Sequence, residues 1–229
     1  MALTLSTQAK NLDALLSTAF SALGLAGETA QRSRVLAYVS LLQRWNAVHN
    51  LSATRDPADL VEQHVVDCLA IIPALRRHAA NRSLALLDAG TGAGLPAVVV
   101  AIMLSDWTVT AVDSVGKKVA FLRQVTGELG LSNLEPRHTR LENMSPSEGR
   151  FDLVTSRAFG ALSQLVESTK HLIEPTGVWV AMKGKPPDTE IRDLPSNCQL
   201  FHVEPLAVPG LNAQRCLVWI KPVTGSRER

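Results

Sequence analysis

The sequence predicts an α/β fold in which a seven-stranded, doubly wound sheet carries an N-terminal helical extension. Three observations support this fold class. Apolar residues recur at helical spacing up to about residue 82, strand and helix patterns alternate from Ser83 onward, and a glycine-rich turn follows the first strand. Such alternation is typical of a mainly parallel sheet. We therefore expect residues 1–82 to form a helical cap and residues 83–229 the α/β domain, joined in one compact unit.

The N-terminal extension has the pattern of successive helices. Part of it carries apolar residues on one helical face: Val35, Leu36, Val39, Leu42 and Trp45. Asp56 followed by Pro57 predicts a helix start, because a carboxylate caps free N–H groups and proline fits the first helical turn. No strand-like alternation precedes Ser83, so the extension is predicted to be all helical.

The remaining chain supplies the sheet. Strands are predicted near 84–88, 108–113, 134–138, 151–155, 177–183, 198–207 and 215–221, and helices near 95–104, 115–130 and 161–172. Pro205 and Pro209 mark the connection between the last two strands, which we expect to form an antiparallel hairpin at one edge of the sheet. The tail at 225–229 is expected to be frayed.

Composition excludes several classes of protein. A chain of 229 residues suffices for one sizeable core but not for two large domains. The longest apolar stretch, 95–104, is about half a membrane span, and no signal-peptide pattern is present. Three cysteines without C-x-x-C spacing indicate neither a disulfide framework nor a zinc site. We expect a cytoplasmic monomer with no membrane association and no metal.

The most informative segment is residues 86–96, with the sequence LLDAGTGAGLP. Asp88 ends the predicted strand, and three glycines follow at alternate positions: Gly90, Gly92 and Gly94. Leu95 stands where the dinucleotide fingerprint G-x-G-x-x-G requires glycine. The pattern D-x-G-x-G-x-G after a first strand is instead typical of S-adenosylmethionine sites, and it predicts a methyltransferase. The alternative is an ordinary βαβ unit whose glycines only close a turn.

A second acidic residue supports a nucleoside ligand. Asp113 ends the second predicted strand, 19 residues after Gly94. This is close to the offset of about 20 residues at which an acid meets a ribose in nucleotide-binding folds. A carboxylate there can accept hydrogen bonds from the ribose hydroxyls. The alternative is that Asp113 only caps the following helix.

Ligands of doubly wound sheets lie outside the carboxyl ends of the strands. That rule selects the following positions at one edge: Asp88, Asp113, 140–142, 156–157 and Lys183. The formal net charge is only +2, so any RNA contact requires a local basic patch. Its candidates are Lys117, Lys118, Arg123, Arg137, Arg140, Arg157, Lys183, Lys185 and Arg215. The alternative is a solvated surface of mixed charge.

Several short blocks of residues follow one another in fixed order along the chain: Arg44-Trp45-Asn46, Asn50-Leu51-Ser52, Arg55-Asp56-Pro57, His64 with Asp67, Asp88 to Pro96, Asp113-Ser114, Lys117-Lys118, Phe121-Leu122-Arg123, Arg140-Leu141-Glu142, Ser156-Arg157-Ala158 and Met182-Lys183-Gly184. In these blocks the chain resembles the RsmG (GidB) family of bacterial 16S rRNA guanine-N7 methyltransferases. Ala97 and Ser52 depart from the family pattern, which often has glycine and threonine there. Both changes are small and leave the interpretation intact.

The resemblance implies S-adenosylmethionine as cofactor and the small (30S) ribosomal subunit as partner, with guanine 527 of 16S rRNA as target. It implies cofactor contacts at five positions: Gly90, Leu95, Leu141, Glu142 and Arg157. Our own inference from spacing adds Asp113, and the remaining loop residues Asp88, Gly92 and Gly94 complete the expected cofactor site. Leu141 has burial as its alternative role, and Arg157 has pairing with Asp113 or Asp88.

The chemistry is consistent with a ring nitrogen as the methyl acceptor. The segment after the fourth strand, 155–159, lacks the N/D-P-P-aromatic loop of amino methyltransferases, and no cysteine nucleophile lies near this edge. Guanine N7 needs neither, because its lone pair is free and positioning supplies the catalysis. The candidate catalytic residues are Arg140, Arg157 and Lys183. The candidate RNA-binding residues are Asn50, His64, Lys117, Lys118, Arg123, Arg140 and Lys183.

Alternatives remain for single residues and for the function. His64 and Asp67 are spaced like a satisfied structural pair on one helix, and Phe159 fits a core role as well as stacking on a base. The competing functions are a methyltransferase for a small molecule or protein, a nicotinamide-dependent oxidoreductase and a non-enzymatic RNA-binding protein.

Overall fold

The computed structural model describes residues 2–223, without the side chains of residues 2–8 and 148. The tail at 225–229, expected to be frayed, lies outside the described residues. The strands are β1 (Ala85–Ala89), β2 (Thr108–Asp113), β3 (Leu134–His138), β4 (Phe151–Arg157), β5 (Ile173–Lys183), β6 (Cys198–Pro205) and β7 (Cys216–Pro222). All seven predicted strands are confirmed.

Helices occupy both the N-terminal extension and the connections between strands. They are α1 (Ala2–Ala22), α2 (Thr29–His49), α3 (Pro57–Leu60), α4 (Val66–Leu69), α5 (Ile72–Ala79), α6 (Ala97–Met103), α7 (Gly116–Leu129), α8 (Leu162–Thr169) and α9 (Asp188–Arg192). A π-helical turn, Val61–Val65, joins α3 to α4. The predicted start at Asp56 is confirmed, since its side chain accepts from the N–H groups of Ala58 and Asp59.

The sheet order is β3-β2-β1-β4-β5-β7-β6. The strands from β3 to β5 pair in parallel, and β7 pairs antiparallel with both β5 and β6. The predicted final hairpin is therefore confirmed, with β6 at the edge. The strand order reverses between β1 and β4, which is the switch point of this α/β sheet. The glycine-rich turn follows β1, and Arg157 is the last residue of the neighbouring strand β4.

Several boundaries differ from the prediction. Strand β4 continues two residues further than predicted, to Arg157, because its last residues, Ser156 and Arg157, pair with Ala181 and Met182 of β5. Strand β5 begins at Ile173, four residues earlier than predicted, because a register shift between Phe151 and Leu153 accommodates its first part. Helix α9 was not predicted, since five residues after Pro186–Pro187 show no helical period.

The N-terminal helices supply part of one layer of the core. The larger apolar cluster combines fully buried residues of the extension with residues of α6 and of the sheet: Leu16, Tyr38, Leu42, Leu69, Ile72, Val98 and Leu217. The smaller cluster lies on the other face and includes Leu165, Val166 and Trp179. The extension therefore packs where an α/β sheet needs covering helices. Within residues 2–223, no helix combines the length and the apolar character that a membrane span requires.

Candidate active site

The glycine-rich turn after β1 is built from three residues with positive φ: Gly90 (+67°), Gly92 (+62°) and Gly94 (+98°). A Cβ atom at Gly94 would lie 2.5 Å from Leu122 Cδ2 and 2.7 Å from Val98 Cγ2. At Gly92 it would meet no heavy atom of the described residues within 4 Å. Packing therefore requires glycine at 94, whereas glycine at 92 leaves open space beside the turn.

Asp113 fastens this turn to the start of α7. Its Oδ2 accepts from the Gly92 N–H at 2.9 Å and from Lys118 Nζ at 3.2 Å, and its Oδ1 accepts from the Val115 N–H at 2.9 Å. The alternative that Asp113 caps the helix is not confirmed, because α7 has no side-chain cap among the described residues and Asp113 bonds the N–H of the residue that precedes the helix. An ionised carboxylate has about four acceptor positions, so three hydrogen bonds leave room for one more.

Asp88 is fully buried beneath the turn. Its Oδ2 accepts from the Ala97 N–H at 3.1 Å. Its Oδ1 and the hydroxyl of Thr91 are buried and form no hydrogen bond of good geometry with a described residue. Burial raises the pKa of Asp88 to about 6 and outweighs the opposing effects of the Thr91 hydroxyl and the Ala97 N–H. The hydroxyl of Thr91 is therefore close enough to act on the Asp88 carboxylate beneath the proposed ligand loop.

The two residues after Arg140 have different exposure. Leu141 is buried in the smaller apolar cluster, as its alternative role required, while Glu142 is exposed. Both belong to a 3₁₀ turn, Leu141–Asn143, which follows β3 after a short connection. Both residues thus lie beyond the carboxyl end of a strand that neighbours β2.

A cleft of about 380 Å³ lies beyond the ends of β4 and β5. The side chains that carry its chemistry are His64, Asp67, Arg157, Phe159, Lys183 and Arg215. They come from the helical extension, from two strand ends and from the connection between β6 and β7. Three cations and one carboxylate thus share one cavity, next to the switch point of the sheet.

Arg157 reaches across the cleft to the helical extension. Its Nη1 donates to His64 Nδ1 at 3.1 Å, and His64 Nε2 lies 2.8 Å from Thr54 Oγ1. Because arginine has only donors, Nδ1 must accept and the imidazole proton lies on Nε2, which donates to Thr54. Burial, followed by the nearby Arg157 charge, lowers the pKa of His64. His64 is therefore a neutral ring that orients the guanidinium.

Asp67 sits between two arginines. Its Oδ1 accepts from Arg215 Nε at 3.1 Å, and its Oδ2 lies 3.9 Å from Arg157 Nη1. Burial raises the pKa of Asp67, although Arg215 and Arg157 both act to lower it. The predicted pair of His64 with Asp67 is therefore wrong. Arg157 likewise pairs with neither Asp113 nor Asp88, because both of those carboxylates face the glycine-rich turn.

Lys183 holds the loop that follows β4. Its Nζ donates to the Gly160 carbonyl at 2.6 Å and to Glu190 Oε2 at 2.8 Å, and the same Glu190 oxygen accepts from the Leu162 N–H. This loop places Phe159 against the glycine-rich turn, where a Cβ at Gly90 would lie 2.9 Å from the ring. Phe159 is half-buried, packs on the smaller apolar cluster and also lines the cleft.

Five of the predicted RNA-binding residues lie outside the cleft. Lys117 donates to the His49 carbonyl at 2.8 Å, and Asn50 caps α2 with φ of +48°. Arg123 and Arg140 are exposed, and no side-chain partner for them is present within residues 2–223. Lys118 belongs to the glycine-rich turn through Asp113. The predicted residues therefore separate into a cleft group, a turn group and an exposed group.

Sequence reasoning missed the contacts that join the helical extension to the site. The buried Tyr38 donates its hydroxyl to the Ala93 carbonyl in the glycine-rich turn at 2.8 Å. Asn46 accepts from the Ser52 N–H and donates to the Thr54 carbonyl, which fixes the loop that carries Thr54 to His64. Tyr38 gave no separate signal, because its position falls on the same helical face as the core residues.

The comparison with known families decides the identity. The family model described as "rRNA small subunit methyltransferase G" (GidB) matches residues 31–218. This chain belongs to that family. The ribosomal RNA small subunit methyltransferase G of Leptothrix cholodnii is 48% identical over 210 residues, covering 92% of this chain and 95% of the relative. That of Bordetella pertussis is 42% identical over 217 residues, covering 92% and 94%.

Solved structures show the fold on which this GidB family member is built. An S-adenosylmethionine-dependent methyltransferase from Aquifex aeolicus matches with a TM-score of 0.53 at 19% identity, covering 73% of this chain and 94% of the other. The glycopeptide N-methyltransferase MtfA, complexed with S-adenosyl-L-homocysteine, matches with a TM-score of 0.56 at 15% identity, covering 69% and 90%. The predicted α/β fold, a seven-stranded sheet of the kind found in S-adenosylmethionine-dependent methyltransferases, is confirmed.

Proposed function

We propose that this chain transfers the methyl group of S-adenosylmethionine to N7 of guanine 527 in 16S rRNA. The observation that carries the proposal is the adjacency of two features at the switch point. The glycine-rich turn has open space beside Gly92, and a cation-lined cleft with Arg157 lies at the end of the neighbouring strand. Family membership supports ribosomal RNA as the substrate class.

The turn fits the cofactor on two counts. The position of a Gly92 side chain is open, and the carboxylate of Asp113 lies beside it, bonded to the Gly92 N–H. The residues proposed to hold the cofactor are Asp88, Gly90, Gly92, Gly94, Leu95, Asp113, Leu141, Glu142 and Arg157. Asp113 retains one free acceptor position, which suits a single ribose hydroxyl. When bound, S-adenosylmethionine supplies an electrophilic methyl group on a sulfonium.

The protein's contribution to the reaction is to orient the base. Guanine N7 carries a free lone pair, so no residue has to remove a proton before methyl transfer, and positioning alone lowers the barrier by several kcal/mol. Arginine commonly donates to both O6 and N7 of guanine. A donor on N7 would occupy the nucleophile, so the proposed contacts of Arg157 and Lys183 are restricted to O6, ribose or phosphate.

The exposed group is proposed to bind the RNA backbone. Its members are Arg140, Arg123, Lys117 and Asn50, which are exposed and do not line the cleft. With a formal net charge of only +2, such local cations must supply the attraction to phosphate. We further propose that the chain acts on the small ribosomal subunit as a cytoplasmic monomer, with residues 1–82 as a cap that shares the core of the α/β domain.

The decisive experiment adds purified protein and labelled S-adenosylmethionine to small subunits that lack the modification. We expect one methyl group on guanine 527, located by mass mapping of rRNA fragments and assigned to N7 by the alkaline lability of that nucleoside. Methylation of a different atom or nucleotide contradicts the finer assignment. Saturable cofactor binding without any label in RNA contradicts the enzymatic function, and NADH binding in its place supports the oxidoreductase alternative.

The matched control for this experiment is a Gly92→Val variant. Its side chain enters the open space beside the turn, so cofactor binding and methyl transfer should both be lost. The Cβ contacts no described atom, but a φ of +62° strains the backbone of any residue with a side chain, so the folding of the variant is checked by circular dichroism before binding is measured. Retained affinity for S-adenosylhomocysteine in this variant would show that the turn does not hold the cofactor.

A further inference from the structure

Arg215 lines the cleft from a part of the chain that the proposed function leaves unassigned. It directly precedes β7 and lies 148 positions after its partner Asp67. Its Nε donates to Asp67 Oδ1 at 3.1 Å, and its Nη1 donates to the Gln214 carbonyl at 2.8 Å. Within residues 2–223 its Nη2 has no partner. The side chain is 26% exposed and lines the cleft.

Asp67 determines the direction in which that nitrogen points. Its side chain is 6% exposed, which fixes the carboxylate on the helical extension. A guanidinium is planar, so one hydrogen bond at Nε and a second at Nη1 fix the plane of the whole group. Arg215 is therefore held as a rigid donor, with Nη2 as its open end.

Methylation at N7 restricts how guanine can be recognised. The N7 lone pair must remain free, which leaves O6 as the acceptor that separates guanine from adenine on that edge. A single, rigidly held N–H meets this requirement better than a fork that bonds both atoms. Lys183 has no planar fork and already uses two of its N–H groups, on Gly160 and Glu190. Among the described residues, Arg157 is held by one hydrogen bond, from Nη1 to His64, so its guanidinium is less rigidly fixed than that of Arg215.

Resting on the proposed function, we infer that Arg215 is a specificity-determining residue whose Nη2 donates to O6 of the target guanine. Asp67 is the positioning residue that aims it. The ligand of this part of the cleft is thus a guanine base with its O6 toward the β6–β7 connection. A general electrostatic role of Arg215 would make no distinction between bases.

The test compares three substrates. Small subunits are reconstituted with 16S rRNA that carries guanine, inosine or 2-aminopurine at the methylated position. Inosine keeps O6 and lacks the 2-amino group, whereas 2-aminopurine lacks O6 and keeps N7. Differences in intrinsic N7 reactivity are the same for every enzyme variant, so they cancel when the preference ratios of kcat/KM are compared between variants.

Arg215→Ala should lower the preference for guanine over 2-aminopurine by about tenfold or more, the loss expected for one specific base contact. Its preference for guanine over inosine should stay at the wild-type value. Arg34→Ala, which removes an exposed arginine from α2, is the charge-matched control and should change neither ratio. An unchanged 2-aminopurine ratio in Arg215→Ala overturns the inference.

Arg215→Ala leaves the buried Asp67 with only Arg157 nearby among the described residues, at 3.9 Å, and this loss could destabilise the protein. Further variants keep the test decisive in that case. Arg215→Lys retains a cation beside Asp67 but lacks the rigid fork, so the same ratio should fall. Asp67→Asn keeps the acceptor for Nε and should retain more of the preference than Asp67→Ala. A wild-type ratio in Arg215→Lys and in Asp67→Ala would refute the assignment. Absence of methylation by the wild-type protein would instead refute the proposed function.

Discussion

The glycine-rich turn and the cleft lie side by side but are assembled in different ways. The turn and its acids occupy one continuous segment, from Asp88 to Asp113, on two neighbouring parallel strands. The cleft depends on an ion pair between residues 148 positions apart, Asp67 and Arg215. A ligand loop can therefore be encoded locally, whereas the substrate cleft exists only after the extension and the final hairpin have closed on the sheet.

The two regions also use different forces. The turn is held by backbone N–H groups, by Asp113 and by the absence of side chains at 90, 92 and 94. The cleft is held by charged side chains that remain partly exposed, such as Arg157 and Arg215. We expect substitutions in the turn to affect folding and cofactor affinity, and substitutions in the cleft to affect the substrate.

The largest effect is expected at Gly94. Gly94→Ala places a Cβ 2.5 Å from Leu122 Cδ2 at a φ of +98°, so both overpacking and backbone strain oppose it. The free energy of unfolding should fall by about 3 kcal/mol or more. Urea unfolding followed by circular dichroism measures the change.

The matched control is Gly92→Ala. Its Cβ meets no described atom within 4 Å, so only the left-handed backbone opposes the change, at a cost of about 1–2 kcal/mol. Equal stability of the two variants would mean that the turn is not wedged against α6 and α7. The comparison thus separates a glycine needed for packing from a glycine needed for ligand space.

The next effect is expected at Asp113. Asp113→Ala removes the acceptor for the Gly92 N–H and the proposed acceptor for a ribose hydroxyl. Binding of S-adenosylhomocysteine should weaken by about 1–3 kcal/mol, measured by calorimetric titration. Arg215→Ala serves as the cleft control and should bind S-adenosylhomocysteine like the wild type. Equal losses in both variants would contradict the division of the site into two regions.

A smaller effect is expected in the pH dependence of stability. The pKa of Asp88 is about 6 in the fold against an ordinary value of 3.8. The folded state therefore binds the proton more tightly, and this stabilisation is present below 3.8 and lost as the pH rises through 6. Between pH 5 and pH 7 Asp88 should reduce the free energy of unfolding by about 1 kcal/mol.

The Asp88→Asn variant isolates this contribution. Urea unfolding of wild type and variant at both pH values gives the difference between their pH dependences. His64 acts in the opposite direction, because its lowered pKa makes the fold lose stability as the pH falls below 6.5. The variant retains His64, so that effect cancels in the comparison. A variant with the same pH dependence as the wild type would contradict the conclusion that burial raises the pKa of Asp88.

The sequence predicted the turn better than the cleft because the turn is encoded by one continuous segment, whereas the cleft is assembled from residues that are distant in sequence. Strand patterns and the spacing from Gly94 to Asp113 are local, and both acids lie on the turn as expected. Arg157, Lys183 and His64 were placed at the site, but their partners were not predictable. Those partners lie on loops and short helices, which have no periodic pattern in the sequence. The spacing of His64 and Asp67 therefore suggested a pair that the structure does not contain.

The smallest effect should distinguish two adjacent lysines at the start of α7. Lys117 donates to the His49 carbonyl and keeps two N–H groups for phosphate, while Lys118 is committed to Asp113. Lys117→Ala should weaken RNA binding and reduce the slope of log affinity against log salt by about 1, without changing cofactor affinity. Lys118→Ala should instead weaken binding of S-adenosylhomocysteine.

The control for loss of charge alone is Lys170→Ala, which removes an exposed lysine next to α8 that pairs with Glu167. Salt titrations of rRNA binding and calorimetry with S-adenosylhomocysteine measure both properties for each variant. An identical pattern for Lys117→Ala and Lys118→Ala would mean that the turn and the RNA-binding surface are not separate functions of this segment.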